Sequence, residues 1–67
     1  MSVAKMIEIS AESKTSFEDA VRAGLTQAAK SVDNIRSAWV KDQEVVVDGG
    51  NISVFRVHLK VTFVLSS

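Results

Sequence analysis

Residues 35–65, IRSAWVKDQEVVVDGGNISVFRVHLKVTFVL, decide the fold of this chain. Two runs with strand character, 35–47 and 52–65, flank the sequence Asp48-Gly49-Gly50-Asn51, whose residues tolerate the positive φ angles of a tight turn. The second run alternates between two faces with a period of two. One face carries Phe55, Val57, Leu59, Val61, Phe63 and Leu65, and the other carries Val54, Arg56, His58, Lys60, Thr62 and Val64. The stretch therefore predicts a long antiparallel β-hairpin with one apolar face.

The turn fixes the register that we expect for this hairpin. If residues 48–51 form the loop, Val47 opposes Ile52, and counting back along both runs gives the other pairs. The pairs on the apolar face are Ala38 with Val61 and Val40 with Leu59. The pairs on the other face are Ser37 with Thr62, Trp39 with Lys60, Lys41 with His58, and Gln43 with Arg56. A slip by one residue would turn Trp39 and Lys41 toward the apolar face, so the pattern favours this register.

The sequence upstream of the hairpin predicts one strand and one helix. Residues 3–10 have strand character, with Ile7 and Ile9 on one side and Met6 and Glu8 on the other, and residues 11–14 form a polar connector. Thr15-Ser16-Phe17-Glu18 matches a capping box, in which the first hydroxyl accepts from the backbone N–H of Glu18 and the Glu18 side chain reaches back.

An apolar stripe at helical spacing then runs through residues 16–32. Its members are Phe17, Ala20, Val21, Gly24, Leu25, Ala28 and Val32. The order of elements predicts an α+β fold of β-α-β-β type, a three-stranded antiparallel sheet wrapped around one amphipathic helix, with residues 1–67 as a single domain.

The predicted hairpin is longer than the one helix that could cover it. Each run reaches roughly 40 Å at about 3.3 Å per residue, whereas a helix over residues 16–32 reaches roughly 25 Å at about 1.5 Å per residue. The far end of the hairpin carries apolar residues that a lone subunit would leave exposed. Another copy of the chain is the simplest cover, so we expect a homo-oligomer.

Composition supports this expectation and excludes several classes of function. A chain of 67 residues is marginal as a monomer, and without cysteine it has neither disulfides nor thiolate metal sites. Its 46% apolar content is high for so short a chain. Eight basic and eight acidic residues cancel, which argues against nucleic acid or an acidic membrane as a partner. We expect a soluble, cytoplasmic protein.

Few residues suit catalysis, so we do not expect an enzyme. His58, the sole histidine, lies in the middle of a strand, where a polar residue on a half-buried face is the simpler interpretation. Residues 48–51 offer oxygen ligands to a hard cation, but fewer than calcium prefers. Trp39 beside Arg56 and Lys60 provides a platform for stacking a planar ring, and it would serve equally well as the anchor of a subunit interface.

These residues together resemble the dodecin family. The similarity rests on the opening strand, the Thr15–Ala20 helix start TSFEDA, the junction SVDNI at 31–35, the pair Asp42-Gln43, and the ending FRVHLKVTF at 55–63. The resemblance implies small subunits that assemble into a hollow dodecamer built from trimers. It also implies a non-enzymatic storage protein for a flavin, riboflavin or FMN.

The predicted register and the resemblance together indicate a ligand site at Ser37, Trp39, Gln43 and Arg56. Flavin-binding members carry a tryptophan near the start of the second strand, where this chain has Ser37, and Trp39 follows about 7 Å further along the strand. They also carry a glutamine in the third strand, where this chain has Arg56. The alternative is that the chain resembles a calcium-linked subgroup that does not bind flavin, or that it forms a shell without a specific ligand.

Overall fold

A computed structural model describes residues 3–65 and confirms the β-α-β-β fold. The elements are β1 (Ala4–Ser13), α1 (Phe17–Ala28), β2 (Ile35–Asp48) and β3 (Asn51–Val64). The three strands form one antiparallel sheet in the order β1-β3-β2, so the last strand is central. The single domain predicted over residues 1–67 includes four terminal residues that lie outside the described range. No helix within residues 3–65 is long and apolar enough to cross a membrane.

The hairpin register is correct next to the turn and from Ser37 to Val40, but it is wrong between these stretches and at the start of β2, where an irregularity that skips Arg36 pairs Ile35 with Phe63. Val47 opposes Ile52, and the pairs from Ser37 with Thr62 to Val40 with Leu59 are as predicted. Between them, one irregularity skips Ser53 on β3 and a second skips Lys41 on β2, so the register shifts by one residue and then returns. Strict counting failed because each bulge inserts one unpaired residue into a strand.

This shift corrects two predicted pairs. His58 opposes Asp42 instead of Lys41, and Arg56 opposes Glu44 instead of Gln43. Gln43 opposes Val57, a fully buried core residue, and directly opposed residues share one face of a sheet. Gln43 therefore lies on the side that faces the helix, although its own side chain is exposed.

The first strand is longer than the sequence suggested. Residues 11–14 were predicted as a polar connector, but β1 continues to Ser13, with Ala11 opposite Val57 and Ser13 opposite Phe55. Ser13 is 8% exposed, and its hydroxyl donates to Asp19 at 2.6 Å and accepts from the backbone N–H of Thr15 at 2.9 Å. These bonds satisfy a polar side chain inside the sheet and fasten the end of β1 to the helix.

The helix is shorter than predicted and its cap lies one residue later. Ser16 is the N-cap, because its hydroxyl accepts from the backbone N–H of Asp19 at 3.0 Å. Glu18 instead accepts a bond from Arg22, four residues on, at 2.7 Å. The helix ends at Ala28 rather than at Val32, since residues 29–31 form a turn before the chain reverses at Asn34, whose φ of 62° is left-handed.

The helix covers β1 and β3 and leaves most of β2 bare. Ala20, Val57, Leu59 and Val61 are fully buried where the helix meets the central strand. Gly24 permits this approach, because a Cβ there would lie 2.9 Å from the Cβ of Ala11 and 3.3 Å from Cδ1 of Leu59. The covered face therefore forms a thin core on one side of the sheet.

Candidate ligand-binding face

The outer face, defined as the side of the sheet opposite α1, carries the polar residues of β3. The register arranges its side chains in rows that cross all three strands. From one end to the other, the rows are Met6-Thr62-Ser37, Glu8-Lys60-Trp39, Ser10-His58-Asp42 and Glu12-Arg56-Glu44. Neighbouring members of a row are close enough to interact directly.

Arg56 is held between two carboxylates at one end of this face. Its Nε donates to Glu12 at 2.5 Å, and its Nη1 donates to Glu44 at 3.2 Å. Hydrogen bonds from the guanidinium to these two carboxylates raise the pKa of Arg56. The donors of Arg56 are thus already directed at Glu12 and Glu44.

The bulge on β2 sets the contacts in the middle of the face. Asp42 contacts Nδ1 of His58, and Nε2 of the same ring lies 3.8 Å from Glu44. Lys41, the unpaired residue of the bulge, reaches across β3 and donates to Glu8 at 2.6 Å. This hydrogen bond and the charge of Lys41 lower the pKa of Glu8.

A hollow beside Trp39 occupies the other end of the face. It has a volume of about 380 Å³ and is lined by Met6, Ser37, Trp39, Lys60 and Thr62. Trp39 is 74% exposed, so most of its surface is open to solvent. An exposed indole with an ammonium and two hydroxyls nearby is suited to stacking a planar ring that carries polar substituents.

The structure brings together only two of the four predicted site residues. Ser37 and Trp39 line the same hollow. Arg56 is on the same face but lies four residues along β3 from Lys60, the partner of Trp39, which is roughly 13 Å at about 3.3 Å per residue. Gln43 lies on the helix side of the sheet and cannot share a pocket with Trp39.

Sequence reasoning missed the carboxylates that surround Arg56. The sequence pattern predicts that the first strand ends at residue 10, which places Glu12 in a connector, whereas β1 extends to Ser13. Extending the alternation of Met6 and Glu8 by four residues would have placed Glu12 on the outer face. Counting from the turn pairs Gln43 rather than Glu44 with Arg56, because no pattern in the sequence marks the bulge at Lys41.

The carboxylates of the outer face have the right chemistry for a hard cation but are too few in one chain. Glu8, Glu12, Asp42 and Glu44 supply oxygen ligands, and their side chains are between 46% and 65% exposed. Calcium takes six to eight oxygen ligands. Within residues 3–65, no group of three or more His, Cys, Asp or Glu side chains is placed to hold a metal ion.

The fold and this face define a small α+β protein whose helix covers one side of a three-stranded sheet and leaves the other side open. The chain belongs to the Dodecin family, whose family model matches residues 3–66. The resemblance drawn from the sequence is therefore confirmed, as is the fold class.

Two solved structures and one sequence relative show the similarity. The chain is 41% identical over 63 residues to the protein named calcium dodecin from Mycobacterium tuberculosis, covering 94% of this chain and 89% of the relative. The crystal structure of that calcium dodecin, described as a calcium chelating antigen with a novel calcium-binding site, is 39% identical, with a TM-score of 0.82 over 91% of this chain and 87% of the other. Dodecin from Streptomyces davaonensis has a TM-score of 0.95 at 23% identity, covering 98% of this chain and 97% of the other, which shows the shared fold alone.

Proposed function

We propose that this chain is a non-enzymatic, calcium-binding subunit of a hollow dodecin-type shell, a homo-dodecamer built from trimers. The observation that carries the proposal is the set of four exposed carboxylates on the outer face, Glu8, Glu12, Asp42 and Glu44. A relative that covers most of the chain and is named calcium dodecin supports the choice of ion.

The ion pairs on this face are compatible with a bound cation. Exposed pairs of this kind contribute roughly 0–1 kcal/mol each, so a divalent ion that binds several carboxylates at once can displace their present partners. Because one chain offers too few ligands, we propose that carboxylates from more than one copy share each ion.

Flavin is the second candidate, and the hollow beside Trp39 is the observation that favours it. The ring of riboflavin or FMN would stack on Trp39, with Ser37, Thr62 and Lys60 at its polar edge. Arg56 argues against the arrangement that the resemblance implied, since guanidinium has no acceptor and this one is already held by Glu12 and Glu44. The flavin hypothesis therefore rests on Trp39.

Calcium binding is tested by titrating the metal-free assembly with calcium in a calorimeter, with magnesium as the comparison ion. We expect saturable heat with calcium and a higher melting temperature than in chelator. Glu44→Gln should weaken binding tenfold or more. Glu18→Gln is the matched control, because Glu18 is also an exposed, ion-paired carboxylate but lies on the helix. An assembly that shows neither heat nor a change in melting temperature would remove the calcium proposal.

Flavin binding is tested separately by adding riboflavin or FMN to the same assembly and following flavin fluorescence. Saturable quenching that Trp39→Ala abolishes, with the assembly intact, would establish the second candidate. Unchanged fluorescence would eliminate it and leave calcium as the one ligand proposed for this face.

A further inference from the structure

His58 is the single histidine of the chain, and its ring lies between two carboxylates on the outer face. Asp42 contacts Nδ1 on one side of the ring. A carboxylate can only accept a hydrogen bond, so this contact assigns the proton of the neutral imidazole to Nδ1. Nε2 then carries the lone pair, and in this form an imidazole binds metal ions.

The lone pair of Nε2 is directed toward a second atom that also carries lone pairs. Oε1 of Glu44 lies 3.8 Å from Nε2, which is beyond hydrogen-bond distance. The same carboxylate accepts from Nη1 of Arg56 at 3.2 Å, which holds it beside the ring. A cation placed between Nε2 and this carboxylate would bind both.

Asp42 gives the ring the surroundings that are typical of a metal-binding histidine. A ligating imidazole usually donates its other N–H to a carboxylate, which fixes the tautomer and makes the ligating nitrogen more basic. The bulge at Lys41 creates this arrangement, because it places Asp42 opposite His58. The His58 side chain is 39% exposed, so an ion can reach Nε2 from solvent.

We propose that Nε2 of His58 and the carboxylate of Glu44 bind a divalent transition metal of the zinc type, and that Asp42 positions the imidazole. Zinc bonded to both atoms at about 2.1 Å holds them about 3.4 Å apart at the tetrahedral angle. A movement of about 0.4 Å by the exposed Glu44 side chain closes the present 3.8 Å to that distance. The remaining coordination positions are left to water or to another copy.

This site differs in its chemistry from the calcium site proposed above. Imidazole suits zinc, copper and nickel, whereas calcium takes oxygen ligands alone. The two proposals share Glu44, but the inference does not depend on calcium binding. His58→Phe separates them, because it removes the ring nitrogens and leaves every carboxylate of the face in place. It should abolish zinc binding and leave the calcium titration unchanged.

The inference is tested by titrating zinc into the metal-free protein, purified without a histidine tag, in a calorimeter. The ring nitrogens are followed in parallel by nitrogen NMR, and with one histidine in the chain both ring signals belong to His58. We expect saturable heat and an upfield shift of Nε2, while Nδ1 keeps the chemical shift of a protonated nitrogen. Zinc that binds without moving the Nε2 signal would overturn the site.

Variants on the wild-type background test the two carboxylates, with folding checked by circular dichroism. Asp42→Asn should weaken zinc binding by about 10–100-fold, as loss of an outer partner does, and Glu44→Gln should weaken it at least as much. Glu12→Gln is the matched control, because Glu12 also pairs with Arg56 and is similarly exposed but, among residues 3–65, makes no ion pair with His58. Equal losses from Glu12→Gln and Glu44→Gln would overturn the assignment of Glu44.

The zinc and calcium titrations together separate this inference from the proposed function. Zinc affinity that is the same in wild type and His58→Phe, or an absence of zinc binding, would overturn the inference and leave the calcium proposal standing. Zinc binding that requires His58, in a protein that shows no response to calcium, would support the inference and remove the calcium proposal.

Discussion

The two faces of the central strand differ in what they do for the molecule. Val57, Leu59 and Val61 point toward the helix and are fully buried. Arg56, His58 and Lys60 alternate with them and point outward into rows of partly exposed charges. One strand thus supplies both the core of the subunit and its candidate ligand face.

The comparison shows how so small a chain keeps a ligand face without losing its fold. Burial of apolar side chains stabilises the folded state, whereas exposed ion pairs add little. Substitutions on the inner face should therefore change the free energy of unfolding, and substitutions on the outer face should change binding. The predictions below test that division, from the largest expected effect to the smallest.

Leu59→Ala should have the largest effect. Leu59 lies on the central strand and is fully buried beneath the helix, close to Gly24. Removing its side chain should lower the free energy of unfolding by about 2–5 kcal/mol. Lys60→Ala, one residue along on the outer face, should change it by no more than about 0.5 kcal/mol. Chemical denaturation at a fixed subunit concentration measures both. Equal losses from the two variants would contradict the division between the faces.

Gly24→Ala should also destabilise the inner face, although alanine favours a helix by about 1 kcal/mol over glycine. The new Cβ would lie 2.9 Å from that of Ala11, and both atoms are fixed to the backbone. Overpacking of this kind costs about 1–3 kcal/mol, so we expect a net loss of roughly 1 kcal/mol by denaturation.

The reason for that loss can be tested with a second substitution. Ala11→Gly removes the atom that the new Cβ would meet, so Ala11→Gly with Gly24→Ala should be more stable than the sum of the two single changes predicts. Additive effects would show that the helix and β1 move apart without strain.

The inner face could be predicted from the sequence, and much of the outer face could not. Burial imposes a period of two on β3, so Val57, Leu59 and Val61 were assigned correctly from alternation alone. Bulges leave no such mark, because Lys41 and Ser53 are ordinary strand residues. The contacts of Arg56 and the position of Gln43 both depend on these bulges, and they were therefore beyond the reach of pattern counting.

Substitutions at the start of the helix should change the free energy of unfolding less, and they test whether Ser16 is the N-cap. Ser16→Ala removes the acceptor for the backbone N–H of Asp19 and should cost about 1 kcal/mol. Thr15→Ala should cost much less, since the cap bond is made by the serine. Thermal denaturation of the two variants decides between them, and a larger loss at Thr15 would restore the capping box that the sequence suggested.

The smallest effect concerns Glu8 and Lys41 on the outer face. Lys41 lowers the pKa of Glu8 through a hydrogen bond and its charge, so Lys41→Met should raise that pKa toward the ordinary value, as measured by NMR titration of the carboxyl carbon. Lys60→Met should raise it less, because Lys60 acts on Glu8 only through its charge.

The same pair sets the sign of a pH effect on stability. A lowered carboxyl pKa contributes stability above the ordinary pKa of glutamate, and this contribution is lost as pH falls through the lower value in the folded state. Wild type and Lys41→Met should therefore differ at neutral pH and converge in acid. A difference that grows in acid would contradict this linkage and would mean that Lys41 stabilises the fold through a contact other than the one with Glu8.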